Sequence, residues 1–538
     1  MAFSKTPENS TYKTVRFPFV GAFNTRDATG AKDQRYINCF PETVKAPGVK
    51  GQRVYLIKRP GLTTSISHTA GEARGCISWN GKIYSVVGDA VYSNTTNIQT
   101  LGTTTGSVGF VAANGTIDYL FICDGTDGYI ISTADVVTKV NVTYTAWATT
   151  TAYSLDALRI PTVENTIYYK VTTAGTSGGS EPTWPTVIGD TVTDGSVVWT
   201  AYGYYGGFPS PHITAPQYAD GYLFLAAANS ADIYNSDLDQ PDSWQTSNFI
   251  VAEMYPDNIV TLSRQNNQVV AFGEGSTEFF YDAANATGSP LARNDGAAQQ
   301  IGCMAKDAVV SFERSMYFIG QSGIGGHAVW EIEGFKPTKV SLEWVDRALD
   351  AEQSNVANIK GFIIRISGHQ FYVLNLSTRT LVYDTEEKMW SEWSTNSSGS
   401  HITFTCNYSC DSPGYVLVQH ATNGKLYQFN PTIYQDDGVN ILMEAVTSLI
   451  DFETINQKTI NRLSLVCDKV ASSTLAYFSF SKDDYNTWTT ARSVDLNLRP
   501  FLTRVAGRFR RLAIKFTHAD NYPVRIEDLE IDYNMGTN

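Results

Sequence analysis

Short apolar runs broken by Gly, Asn, Asp and Pro recur along most of the chain, and seven stretches share one layout. GKIYSVVGDAVYS at 81–93 and NQVVAFGEGSTEFFYD at 267–282 are examples: a hydrophobic strand, a small polar turn, then a second strand carrying an aromatic. Each reads as a β-hairpin. One anchor per hairpin is Ile83, Leu120, Leu223, Val269, Phe318, Phe371 and Leu417, with steps of 37, 103, 46, 49, 53 and 46 residues. The long step contains a compositionally foreign segment, 141–205, and removing it brings that step into line. A period near 40–50 residues with one aromatic-bearing hairpin each predicts a β-propeller of about six or seven blades. Stacked sandwiches also show regular short strands, but seven recurrences favour the propeller.

The expected organisation is therefore all-β. Blades occupy 62–140 and 206–438. A small inserted β module spans 141–205. An additional β-domain fills 439–538, with strands near 460–468, 473–481, 508–517 and 524–533, and segment 1–61 packs with it. One helix is predicted at 341–352, SLEWVDRALDAE, with Leu342, Val345 and Leu349 on its apolar face.

Composition narrows the class further. Hydrophobics at 42% and aromatics at 12% supply large cores and exclude disorder as the main state. No run approaches the roughly 18 apolar residues of a membrane helix, and the polar start MAFSKTPENSTYKT reads as no secretory signal. Seven scattered cysteines do not look like a disulfide framework, which suggests synthesis in a reducing cytoplasm. With 40 basic against 53 acidic residues the net charge is −13, which argues against broad phosphate binding.

Enzyme signatures are missing: no G-x-S-x-G, P-loop, G-x-G-x-x-G after a strand, or H-E-x-x-H. Cys406 and Cys410, between His401 and His420, allow a zinc reading, but two ordinary thiols account for them better. Asp124–Gly128, DGTDG, fits a hairpin turn better than a calcium loop. The neighbouring carboxylates Glu386-Glu387 and Asp436-Asp437 look like solvated turn residues rather than a glycosidase pair. No catalytic residue, metal or cofactor is assigned.

Two features are left as candidate sites. In the insertion, Trp147, Tyr168 and Trp184 are candidates to stack on sugar rings, alongside Tyr169 and Trp199; packing in the module's own core is the competing reading, favoured for Trp199. The one basic stretch carries Arg492, Arg499, Arg504, Arg508, Arg510, Arg511 and Lys515 against Asp495 alone. It is either a solvated strand face or a docking surface for an acidic partner, with Arg504, Arg508, Arg510 and Arg511 as the contact.

Several segments, in order along the chain, resemble the packaged-DNA stabilisation proteins of short-tailed bacteriophages, the tail hub or nozzle components. They are FNTRDATGAKDQRYINCFPE at 23–42, with Asp33, Gln34, Arg35 and Asn38; the run from YNSDLDQPDSW at 234–244 to Leu349; SKDDYNTW at 481–488; and GRFRRLAIKF followed by YPVRIEDLEI. The insertion is similar to carbohydrate-binding-like modules of phage structural proteins, and plain family members lack it. The resemblance implies a virion tail protein made in the bacterial host cytoplasm. It implies a ring, hexameric in such proteins, below the portal and adaptor. It also implies contacts with tail fibre or tailspike and needle or plug proteins, and a channel that holds and later passes packaged double-stranded DNA without reading its sequence. A glycan-degrading tail enzyme and a lectin-like binder of host surface glycan are the alternatives; the first needs converging carboxylates and the second a working insertion.

Overall fold

The computed structural model describes residues 13–20, 34–44, 53–321, 326–412, 414–503 and 507–536. It is all-β, with one α-helix among the described residues. Seven antiparallel sheets follow one another along the chain, at 73–100, 109–139, 217–251, 259–293, 302–339, 360–397 and 406–430. Every hairpin anchor lies on an inner strand of its sheet: Ile83 on Lys82–Val87, Leu120 on Asp118–Cys123, Leu223 on Tyr222–Ala226, Val269 on Gln268–Gly273, Phe318 on Ser315–Gln321, Phe371 on His369–Asn375 and Leu417 on Tyr415–His420. All seven anchors are buried. That placement follows from their position: an inner strand has a neighbour on each edge and little access to water, so apolar side chains dominate there.

The seventh sheet is completed from the other end of the repeat. Its strands Cys406–Ser412, Tyr415–His420 and Lys425–Asn430 are joined by Gly61–Ser67, which precedes the first sheet. Gly61 pairs with Asn430 and lies so close to Gln435 that a Cβ there would overlap the Gln435 backbone.

The N-terminal strands pair with the C-terminal ones. Cys39–Val44, Arg53–Lys58, Arg525–Met535 and Lys458–Cys467 run side by side in one sheet, and Lys13–Pro18 lies on Arg525–Met535. Arg35–Ile37 sits between Met389–Ser397 of the sixth sheet and Met443–Val446, so the sixth sheet continues into Ala513–His518 and Leu475–Ser481. These layers and the helix enclose the largest apolar core, which includes Tyr36, Leu56, Trp344, Phe478, Phe516 and Leu529.

The helix is shorter than its pattern suggests. It spans Glu343–Asp350, and Leu342 is its exposed N-cap rather than part of the apolar face; Trp344, Val345, Ala348 and Leu349 are the buried residues. The expected strand 508–517 is two strands. Arg508–Phe509 pairs with Lys458 and Thr459, whereas Ala513–His518 belongs to the other sheet. Between them Leu512 exchanges both backbone hydrogen bonds with Ile450, which carries the chain from one sheet to the next.

The insertion forms its own sheets, Ala152–Tyr153 with Gly175–Thr176, and Leu158–Arg159, Ile167–Thr173, Val197–Tyr204 and Thr191–Asp194. It has its own core of Trp147, Tyr153, Tyr169, Val171 and Trp199, among others. Its two ends meet: Val140–Val142 and Tyr204–Gly206 border one small cavity of 190 Å³, floored by Phe208 and Trp244.

Candidate functional site

The first strands of the sheets border a common space. One cavity of 660 Å³ is lined by Cys76, Phe110, Gln217, Arg264, Asp307 and Tyr408, which come from six of the sheets or the segments that lead into them. A second, of 440 Å³, adds Phe362 and Ile363 of the sixth sheet. Its charges are balanced rather than of one sign. Lys360 is ion-paired with Asp307 at 2.5 Å, and Arg264 is spent on the Tyr218 carbonyl at 2.6 Å and the Asn267 side chain at 3.0 Å.

The densest buried polar assembly lies where the sheets meet the C-terminal layers, at two adjacent residues. Successive residues of an extended chain point opposite ways, so Lys58 and Arg59 reach different partners. Arg59 is fully buried and uses all five N–H donors: to Asn38 Oδ1 at 2.9 Å, the Pro60 carbonyl at 3.2 Å, the Ser394 carbonyl at 3.1 Å, and both oxygens of Asp436 at 2.9 and 2.5 Å. The rings of Trp393 and Phe404 flank it at 5.7 and 5.3 Å. Asn38, held at positive φ, donates to Ser394 Oγ and the Leu442 carbonyl, both at 2.8 Å. Arg35 adds a bidentate pair with the buried Glu392 at 3.0 and 2.9 Å.

Lys58 enters the C-terminal sheets. Its ammonium donates to the Asp520 carbonyl at 2.8 Å and lies 3.2 Å from His518 Nδ1; His518 Nε2 is 2.9 Å from Thr474 Oγ1, which donates to Asp520 at 2.7 Å. Burial, and then the charge of Arg59, lower the Lys58 pKa to about 7. Burial and the Lys58 charge take His518 down to about 3. This joint draws on Arg35 and Asn38 of the N-terminal motif; Lys58 and Arg59 were not expected from sequence, and Asp436, expected as a solvated turn residue, is a mostly buried partner of Arg59. Their one signal is a Lys-Arg-Pro placed directly after the apolar strand VYLI.

The insertion's aromatics are mostly committed to packing. Trp147 is 8% exposed and its indole donates to Asp194 at 2.7 Å, while Trp199 donates to the same carboxylate oxygen at 3.1 Å. Tyr168 is 2% exposed, stacks on Tyr144 at 4.7 Å, and donates to Asp242 of the third sheet's loop at 3.2 Å. A sugar ring needs an open aromatic face, so Trp147 and Tyr168 do not supply the stacking surface expected of them. Trp184 is half-buried, donates to Glu181 at 2.8 Å, and packs on Tyr169 at 4.3 Å.

The basic stretch is not one patch. Arg504 lies outside the described residues. Arg508 is exposed; Arg510 is exposed and donates to the Ile455 carbonyl at 2.8 Å. Arg511 pairs with Asp484, and Lys515 lies 4.6 Å over Trp488, so both hold the chain's own 481–488 loop.

The remaining sequence candidates serve the fold. Asp436 binds Arg59, Asp437 pairs with Lys425 at 2.6 Å, and Glu387 receives both the amide and the hydroxyl of Thr43, at 2.9 and 2.6 Å. Asp124 Oδ1 accepts from the amides of Thr126 and Asp127, the turn expected there. Cys406 and Cys410 are buried and free, and no group of three potential metal ligands occurs among the described residues.

The family described as "Bacteriophage P22 Gp10, beta-propeller" matches residues 17–434. No curated protein matches the chain. Among solved structures, the computationally designed Ika8 protein is similar at 12% identity and a TM-score of 0.34, over 69% of this chain and 99% of its own. PorZ of Porphyromonas gingivalis is similar at 10% and 0.32, over 81% and 46%. The Pan2 WD40 domain of Neurospora crassa is similar at 8% and 0.34, over 69% and 95%.

Proposed function

The chain belongs to the phage-stabilisation family of P22 Gp10-type β-propellers, and from that premise we propose that it is a structural protein of a phage tail, the hub or nozzle that joins the portal-adaptor, retains packaged DNA and forms part of the ejection channel. The family match over residues 17–434 carries this reading. In it, the seven sheets are the blades of one closed propeller. The shared space and the completion of the seventh sheet by Gly61–Ser67 support closure.

The DNA path runs between subunits of a ring, hexameric in the resemblance, and not through the propeller axis. A ring of identical subunits needs heterologous contacts, one patch meeting a different patch on the next copy. Arg508 and Arg510, exposed like Arg499, are the members of the expected contact that would dock on an acidic adaptor or neighbour. Tail fibre or tailspike and needle proteins are the further partners of the assembled ring.

The test is a phage in which this gene carries a nonsense codon. Filled heads should form, lack the tail hub in electron micrographs and release DNA, and wild-type chain supplied in trans should restore retention. A chain with Arg508→Glu and Arg510→Glu should fold but fail to restore it. Heads that keep their DNA without the protein would overturn the stabilising role.

A further inference from the structure

Beside the module lies a groove of 450 Å³ bordered by the second sheet, the loop at 239–242 and Tyr202 of the insertion. We propose that this groove is a binding site for an uncharged pyranose sugar, formed jointly by the module and the sheets rather than by the module alone. The inference stands whether or not the tail reading holds.

Tyr202 is brought there by its place on the outward face of Val197–Tyr204. Along the pairing of Val197–Tyr204 with Ile167–Thr173, Ala201 faces Tyr169 and Gly203 faces Tyr168, so Tyr202 is the extra residue of a β-bulge. The ring is 42% exposed on a strand whose alternate residues Val197, Trp199, Ala201 and Gly203 are buried, an alternation that runs on through the bulge. Lys170 lies over the Tyr202 ring at 4.9 Å, held to Asp156 at 2.9 Å.

The second observation is Tyr119. Its side chain lines the groove and is 5% exposed, yet its hydroxyl has no hydrogen-bond partner. A buried hydroxyl left unpaired is costly, and a ligand in the groove would complete it. Burial and the nearby Tyr218, Asp239 and Asp242 raise the pKa of this phenol, so it stays a donor at neutral pH.

The rest of the lining selects the ligand class. Asp118, Asp239 and Asp242 present carboxylates, and only part of their capacity is taken, by Thr116 on Asp239 and Tyr168 on Asp242. Ile117, Ile130 and Pro241 add apolar surface. No lysine or arginine lines the groove among the described residues. Such a site repels anions and offers acceptors for hydroxyl donors beside flat apolar surface, which matches the polar rim and apolar C–H face of a neutral hexose. A bare ammonium group would leave the apolar surface unused.

Saturation-transfer NMR on the full chain tests this with methyl α-glucopyranoside, methyl β-galactopyranoside, methyl α-mannopyranoside and N-acetylglucosamine. Glucuronate and Nα-acetyl-lysine amide serve as counter-probes. At least one neutral sugar should bind and glucuronate should not. Tyr119→Phe and Tyr202→Ala should each weaken binding by about tenfold, the worth of one good contact. Tyr119→Phe should also raise the melting temperature of the free protein, because it removes an unpaired buried hydroxyl; Asp239→Asn is the companion variant if either is poorly folded. Silence with all four sugars, equal binding of glucuronate, unchanged affinity in the variants, or binding of the lysine probe alone each overturns the proposal. The last would reassign the groove to a partner's basic side chain.

Discussion

Replacing Arg59 with Ala tests whether the joint between the sheets and the C-terminal layers hangs on one guanidinium. Five donors disappear, and Asp436, only 12% exposed, keeps a charge with no cation against it. Removing one side of a buried ion pair costs about 3–5 kcal/mol, a large part of the about 5–15 kcal/mol that holds a typical domain. Arg59→Lys separates charge from geometry. An ammonium cannot grip both Asp436 oxygens and still reach Asn38 and Ser394, so about 2 kcal/mol should be lost even though the charge remains. Arg59→Met combined with Asp436→Leu removes both charges and should recover most of the Ala loss, since apolar replacement of a buried pair is often near neutral. The assay is urea unfolding followed by tryptophan fluorescence, to which Trp393, 5.7 Å from the guanidinium, contributes at the joint itself. With several cores in the chain, the first transition is the one compared between variants. An Arg59→Ala loss below about 1 kcal/mol, the level of an exposed pair, would refute the view that this residue is the joint's centre.

Replacing 141–205 by a short Gly/Ser linker should leave the rest folded, because the module's ends already meet and loop length costs little free energy; loss of soluble protein would show otherwise. Trp147→Ala should cost about 3–5 kcal/mol of module stability in thermal unfolding, since the ring is buried and Asp194 loses a donor, whereas Trp184→Ala should cost less. Stability should rise with pH through two windows, measured as melting temperature. Lys58 and His518 both have folded pKa values, about 7 and about 3, below the unfolded values of about 10.4 and 6.5. The unfolded chain therefore binds more protons between each pair of values. The His518 penalty fades from about pH 3 to 6.5, and the Lys58 penalty from about pH 7 to 10.4, at about 1.4 kcal/mol per pH unit within each window. Lys58→Met should flatten the upper window, and an unchanged slope there would show that Lys58 is not the group responsible.

The hairpins were legible because their information is local. A run of alternating or apolar residues, a Gly or Asn turn and a second run lie within about 16 residues, so period and turn chemistry suffice. The closing strand Gly61–Ser67 was not read as part of the last sheet, because its partner Lys425–Asn430 lies at the far end of the repeat and no local pattern names it. The joint failed for the same reason. Arg59 and Asp436 are separated by 377 residues, and each looks like an ordinary charged residue beside a turn. The basic stretch failed differently. Arg508 and Arg510 have the spacing of one strand face, but the chain leaves one sheet after Phe509 to enter another at Ala513, and such a crossing leaves no periodic trace. In the insertion, richness in tryptophan was visible but its direction was not. A small module with few aliphatics uses aromatics as core, and the ring it turns outward, Tyr202, follows the alternation that buries Trp199 and Ala201 on the other face.

The two polar constructions of this chain sit at separate places in the proposed ring of sheets, and that separation has a consequence. The joint ties the sixth and seventh sheets to the C-terminal layers through Ser394 and Asp436. The module is anchored between the second and third sheets, where Asn141 binds Thr126 and Asp127, and Tyr204 donates its amide to Ser243 Oγ and accepts from the Trp244 amide. Among the described residues no hydrogen bond or ion pair joins the two constructions, so changes to the module reach the joint only through the intervening sheets. Those sheets are close-packed antiparallel units with buried inner strands, and sites that share no partners usually respond independently. A module at such a position is free to vary in its groove while the Arg59 joint keeps its geometry. That is the physical basis for expecting one chain to combine a fixed structural role with a changeable surface at the proposed groove.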